Sequence, residues 1–150
     1  LDVPIEVKWE DLKREEKKDD GYSLLANIPS SMPALLRAYV MTKRAAKVGF
    51  DWQKIEDVYD KMYEEIAELK AAEAGGDPER VREEVGDLLF TIVNIARFLS
   101  VDPEDALRAT SDKFTRRFSY IENNTDIRNS DADTMDKLWN DSKSLEDKGK

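Results

Sequence analysis

Three features of this chain predict an all-α fold. Apolar residues recur at intervals of three and four along several stretches, capping residues followed by proline separate those stretches, and no run of any length alternates apolar with polar residues. The expected architecture is a four-helix core bundle plus a short C-terminal helix, completed by a two-fold homodimer. Residues 1–28 read as a charged linker or arm, and residues 29–150 as the folded domain.

In the arm, Lys13 to Asp20 holds no apolar residue, and Asp20-Gly21 breaks any helix begun near Val7. Ile28-Pro29-Ser30-Ser31-Met32-Pro33 stops the chain and restarts it, with serines for an N-cap and Pro33 for a first turn. Leu35, Leu36, Tyr39, Val40 and Val48 then form a helical stripe that ends at Gly49. Asp51 can cap a second helix, whose apolar positions are Ile55, Val58, Tyr59, Met62, Ile66 and Leu69, and Gly75-Gly76 closes it. Asp77-Pro78 opens a third helix that runs to about Leu99. Asp102-Pro103 opens a fourth, through Leu107, Phe114, Phe118 and Ile121. Asn123 to Asp133 is polar and loop-like, and a last short helix from Thr134 to about Ser144 carries Met135, Leu138 and Trp139.

The third helix is apolar nearly all round. Val81, Val85, Leu88, Leu89, Ile92, Ile95, Ala96 and Leu99 fill one side, while Phe90, Val93 and Phe98 populate the other. Four helices around one core do not easily bury both sides of one member, hence the expected second subunit.

Composition narrows the chemistry. With 150 residues the chain fits one domain. It has no Cys and no His, which removes disulfides, thiolates and imidazole, so catalysis falls to carboxylates, Lys, Arg, Tyr, hydroxyls or a bound metal. A net charge of -9 argues against binding a nucleic-acid polymer. It permits a small phosphate ligand, because bound divalent cations reverse the local field. No apolar run reaches the ~20 residues of a membrane span and no signal-peptide pattern is visible, so no membrane partner is expected and the cytoplasm is the expected compartment. The first residue is Leu1, not Met, which reads as a piece of a longer protein.

The second and third helices carry acidic residues at a spacing of three: Glu65 and Glu68, then Glu84 and Asp87. Folded antiparallel about Gly76, Glu65 and Asp87 are equidistant from the turn, as are Glu68 and Glu84. The two pairs then face each other about one turn, roughly 5 Å, apart. Counting about 100° per residue, both acidic pairs fall on the same flank of their helices' apolar stripes. Such residues are ordinarily solvated surface, but four converging carboxylates repel unless a cation sits among them. Four hard oxygen ligands suit Mg²⁺, with Mn²⁺ as a substitute. Glu64, Glu83 and Asn94 stand close enough to tune a bound water or to support the ligands, and Asn94 serves equally well as a helix-to-helix hydrogen-bonding group. A metal held by few carboxylates takes its remaining ligands from phosphates. Lys61, the Lys113 and Arg117 pair, and the Trp139 and Lys143 pair are then candidate substrate contacts, although each is also an ordinary helix-surface residue or packing anchor.

These residues resemble the all-α nucleoside triphosphate pyrophosphohydrolases, and the context is similar to the MazG branch. The motifs are KRAAKVGFDW (Lys43 to Trp52), YEEIAEL (Tyr63 to Leu69), EEVGDLLFTIVNIARFL (Glu83 to Leu99) and KFTRRF (Lys113 to Phe118), covering about Ile28 to Lys143. The chain looks like the C-terminal domain of such a protein. The resemblance implies hydrolysis of ribo- and deoxynucleoside triphosphates to monophosphate and pyrophosphate, with broad base tolerance, in a tight dimer. It implies Mg²⁺ held by Glu65, Glu68, Glu84 and Asp87, and substrate contacts at Lys61, Lys113, Arg117, Trp139, Lys143 and Arg80. A water activated by the metal and oriented by Glu64 or Glu65 would attack the α-phosphorus. A non-catalytic helical dimerisation module and a base-selective dUTP or dCTP enzyme stand as alternatives. A di-iron bundle is disfavoured because its Glu-x-x-His pattern is absent.

Overall fold

The computed structural model describes residues 23–149; the arm up to residue 22 lies outside them. The described residues form five helices: α1 (Ala34–Lys47), α2 (Ile55–Gly75), α3 (Pro78–Phe98), α4 (Pro103–Asn124) and α5 (Ala132–Lys148). No strand occurs among them, and no helix is long and apolar enough to cross a membrane. The chain divides into two compact units, one ending at Pro103 and one beginning at Glu104.

In the first unit α3 packs along α2 and, less extensively, against α1. The α2–α3 hairpin forms because Gly76 adopts φ +66, a left-handed conformation that costs glycine little, and donates its N–H to Glu73 O at 3.1 Å. Asp77 restarts the helix by accepting from the N–H groups of Glu79 (3.1 Å) and Arg80 (3.3 Å), with Pro78 in the first turn. The buried residues of α2 are Val58, Glu65 and Ala72, seven apart, so the seam against α3 runs straight along the helix and includes a carboxylate. Opposite it, α3 buries Glu84, Thr91, Val93 and Asn94.

Three local expectations are revised. The N-cap position of α1 is Pro33, without a side-chain bond, so the serines before it do not cap the helix. Asp51 does not cap α2: the N-cap position is Lys54, without a side-chain bond, and the Asp51 carboxylate is engaged elsewhere. The last helix is not short. It spans 17 residues, started by Asp131 accepting from Thr134 N–H at 2.8 Å.

The two sides of α3 are also allotted differently from their apolar weight. Val93, from the minor apolar side, is fully buried, whereas Val85, Leu89 and Ile92, from the larger stripe, are exposed. Antiparallel pairing with α2 turns the polar row Glu84, Thr91 and Asn94 inward, and that rotation carries the longer stripe outward. Ahead of α1, Arg44 donates to Leu24 O (3.3 Å) and Ala26 O (2.7 Å), tying residues 24–26 to that helix.

The second unit is held by side chains rather than by close backbones. Arg117 of α4 bonds Glu146 of α5 and lies 5.6 Å from the centre of the Trp139 ring, which also meets Phe114 at 5.5 Å.

Candidate functional site

Because α2 and α3 are joined by a two-residue turn and pack antiparallel, their carboxylates meet. Oxygens of Glu65, Glu84 and Asp87 lie within 4.8 Å of one another, and a second group of the same size joins Glu64, Glu65 and Glu68. Glu65 belongs to both. It is 3 % exposed and Glu84 is 8 % exposed, so neither charge is relieved by water.

The electrostatics follow from that crowding. Loss of water and the neighbouring charge and hydrogen-bonding proximity of Glu68, with Glu65 and Asp87 behind them, push the Glu84 carboxyl above its ordinary value of 4.5. Lys61, one turn before Glu65, reaches in as the local counter-charge. Its Nζ stands 2.6 Å from Glu65 Oε1 and 3.0 Å from Glu64 Oε1. Those two bonds, Glu65 first, hold the ammonium well above the usual lysine range. Arg80 stands farther off, 3.9 Å from Glu84 Oε1. Even so, Glu65 Oε2 and Glu84 Oε2 are buried with no hydrogen-bond partner. Two orphaned carboxylate oxygens on facing helices fit the donor set of a hard divalent cation.

Beside this cluster lies a cavity of about 720 Å³, mostly apolar, contained within the first unit. Lys61, Glu65 and Asp87 border it on one side, and Met41, Phe50, Trp52 and Phe90 supply apolar wall. Away from the carboxylates, several of its polar side chains bond within the protein. Thr42 Oγ1 donates to Ala38 O and Tyr39 O, and Thr91 Oγ1 donates to Asp87 O. Asn94 Nδ2 donates to Phe90 O, and Asn94 Oδ1 accepts from Arg97. Both bonds stay within α3, so the helix-to-helix role considered for Asn94 is not the one it plays. Arg97 also spans to Asp51, Nη1 to Oδ2 at 2.8 Å and Nη2 to Oδ1, and holds the Asp51 carboxyl below its usual value of 3.8.

Of the candidate residues, Lys61, Glu64, Glu65, Glu68, Glu84 and Asp87 come together, Arg80 stands at the edge, and Asn94 lines the cavity. Lys113, Arg117, Trp139 and Lys143 belong to the second unit. There the cation over the Trp139 ring is Arg117, whose Nε and Nη2 both donate to Glu146 Oε2, at 3.0 and 2.8 Å. The residues that motif spacing left unassigned are Asp51, Arg97 and the aromatic pair Phe50 and Trp52. The Lys43 to Trp52 stretch carried the only available signal, an exposed-looking Phe-Asp-Trp directly after a glycine.

Residues 53–121 match the family described as the MazG nucleotide pyrophosphohydrolase domain. The chain is 42 % identical over 141 residues to the nucleoside triphosphate pyrophosphohydrolase of Escherichia coli strain K12, covering 89 % of this chain and 54 % of that protein. It is 48 % identical over 115 residues to the nucleoside triphosphate pyrophosphohydrolase/pyrophosphatase MazG of Thermotoga maritima, covering 77 % and 44 % respectively. The chain thus spans about half the length of these curated relatives. The acidic motifs of α2, the whole of α3 and most of α4 lie inside the region that matches the MazG domain.

Proposed function

We propose that this chain hydrolyses nucleoside triphosphates, ribo and deoxy, to the monophosphate and pyrophosphate. The observation that carries the reading is the pair of buried, unpartnered oxygens of Glu65 and Glu84, in a cluster whose Glu65 and Asp87 border an apolar cavity. Glu65, Glu68, Glu84 and Asp87 would hold Mg²⁺, with Mn²⁺ as a substitute. When bound, such an ion neutralises phosphate charge and makes water more acidic.

The chain's own groups do the rest. Glu64, at the exposed edge of the cluster, is placed to take a proton from the attacking water as it approaches the α-phosphorus. Lys61 fixes the Glu64 and Glu65 oxygens before substrate arrives, and its ammonium is near enough to meet the phosphate chain afterwards. Arg80, half-exposed beside Glu84, can follow the leaving pyrophosphate. Asn94 braces the cavity wall. Lys113, Arg117, Trp139 and Lys143 are proposed substrate contacts from the second unit.

Broad base tolerance follows from the wall chemistry. A base entering the cavity meets the rings of Phe50, Trp52 and Phe90, while the Thr42 and Thr91 hydroxyls and Asn94 Nδ2 donate to backbone carbonyls and Asp51 accepts from Arg97. Stacking accepts any base, whereas discrimination needs free, rigid donors and acceptors.

The exposed Val85, Leu89 and Ile92 stripe is the surface we assign to a second copy of the chain, giving a homodimer. Leu89→Lys should then halve the mass measured by light scattering. A setting in the cytoplasm, where nucleoside triphosphates are abundant, suits the reaction.

The deciding experiment measures pyrophosphate release from a panel of ribo- and deoxynucleoside triphosphates with Mg²⁺, with an EDTA control. Release across the panel that EDTA abolishes is the expected result. Release from dUTP or dCTP alone would replace breadth with selectivity, and no release under any condition would leave a non-catalytic helical module.

A further inference from the structure

We infer that Asp51 and Arg97 act as one positioning unit, which holds the aromatic loop between α1 and α2 in place as a wall of the substrate cavity. This rests on the nucleotide reading of that cavity.

The loop needs such a hold. Val48, Gly49 and Phe50 still donate backbone N–H groups to Ala45 O and Ala46 O at the end of α1, with Gly49 turning the chain at φ +88. Beyond Phe50 the backbone leaves α1, and α2 begins only at Ile55, without a side-chain cap. Phe50 is 81 % exposed and Trp52 39 % exposed, so packing alone does not fix either ring. Among the described residues, the side-chain hydrogen bonds from this loop to α3 are those of Asp51. The two guanidinium nitrogens of Arg97 take its two carboxylate oxygens in a planar fork, across 46 residues of sequence.

Arg97 is itself held. Nη2 also donates to Asn94 Oδ1 at 3.0 Å, its guanidinium lies 5.2 Å from the centre of the Phe98 ring, and its side chain is 11 % exposed. Asp51 spends one oxygen further on the N–H of its neighbour Trp52, at 2.9 Å. The chain of contacts therefore runs from α3 through Arg97 and Asp51 to the backbone that carries the Trp52 ring. Asp51, Trp52, Asn94 and Arg97 all line the cavity, on the side away from the α2–α3 turn. Asp51 Oδ1 accepts from Arg97 and Trp52 and Oδ2 accepts from Arg97, so both oxygens are turned to groups of the protein itself, which makes positioning its role.

The test is a double-mutant cycle of Asp51→Asn, Arg97→Gln and the pair together, assayed by pyrophosphate release, with Mn²⁺ affinity by calorimetry and helicity by circular dichroism alongside. The expected single-variant result is a rise in nucleotide KM of about tenfold, the size of one charge-assisted fork, with a smaller change in kcat and unchanged Mn²⁺ affinity. The double variant should be no worse than either single, because the second change removes a partner already lost. Additive rises in KM, or KM values equal to the parent's, would overturn the unit. A kcat loss at unchanged KM would overturn it too, by making Arg97 a group that meets the reacting phosphate. A parent protein with no activity at all would instead defeat the nucleotide reading, so the two failures are separable.

Discussion

Glu146 and Glu84 are both acidic residues inside amphipathic helices, and their surroundings could hardly differ more. Glu146 is answered from within the chain: Arg117 donates to it twice, at 2.8 and 3.0 Å, and Arg116 approaches to 3.8 Å. Glu84 faces Glu65, Glu68 and Asp87, with a single guanidinium 3.9 Å away and one oxygen that nothing meets. A carboxylate whose charge is balanced internally holds helices together. A cluster left short of positive charge in a water-poor seam is arranged for a charge that arrives from outside.

The sharpest way to break this comparison is to shorten the deficient cluster. Glu68→Ala or Asp87→Ala should lower pyrophosphate release by more than about a hundredfold, the scale of losing a cation that serves both charge neutralisation and water activation. Helicity by circular dichroism should be retained, because Glu68 and Asp87 lie outside the fully buried seam. Retained, Mg²⁺-dependent turnover in both variants would put the cation somewhere else.

The carboxylate cluster was legible in the sequence because two short-range rules fix it: the spacing of three within each helix and the symmetric placement about Gly76. All five helices were legible for the same reason, since caps and apolar periods are local. The side of α3 turned to solvent was not. Counting apolar residues favours burying Val85, Leu89 and Ile92, whereas the polar row Glu84, Thr91 and Asn94 goes inward to complete the site. Asp51 was misread as a helix cap because its partner lies 46 residues away, and no local pattern announces a long-range ion pair. Arg97, in the last turn of α3, gives no local sign of that pairing for the same reason. The length of α5 escaped because Lys, Asp and Ser fill its last turns, where a helix held by one face needs few apolar residues.

A smaller effect separates the two settings by sign. Glu84→Gln keeps the side chain's shape and removes a charge that meets three carboxylates and only one distant guanidinium. The metal-free variant should therefore melt higher than the parent by on the order of a few degrees, while binding Mn²⁺ more weakly. Glu146→Gln removes half of an internal pair and should melt lower by a similar amount, with Mn²⁺ affinity unchanged. Thermal unfolding with EDTA and with Mn²⁺ gives both signs in one experiment. Two shifts in the same direction would erase the distinction.

Asp51 supplies a third setting, one carboxylate matched to one guanidinium, and it makes the smallest prediction. Arg97 holds its carboxyl below the ordinary 3.8, so the folded state binds this proton less readily than the unfolded chain does. The stabilisation is therefore fully present at pH values above 3.8 and is lost as pH falls through the lower folded value. Its size should be roughly 1 kcal/mol, because the pair is partly open to water, with the Asp51 side chain 24 % exposed. The stability gap between the parent and Asp51→Asn should accordingly stay constant from neutral pH down to about pH 4 and close only in stronger acid. Urea unfolding of both proteins across that range reads the gap directly. A gap that closes well above pH 4 would mean that Arg97 does not hold Asp51 ionised, and the loop would then need a different anchor.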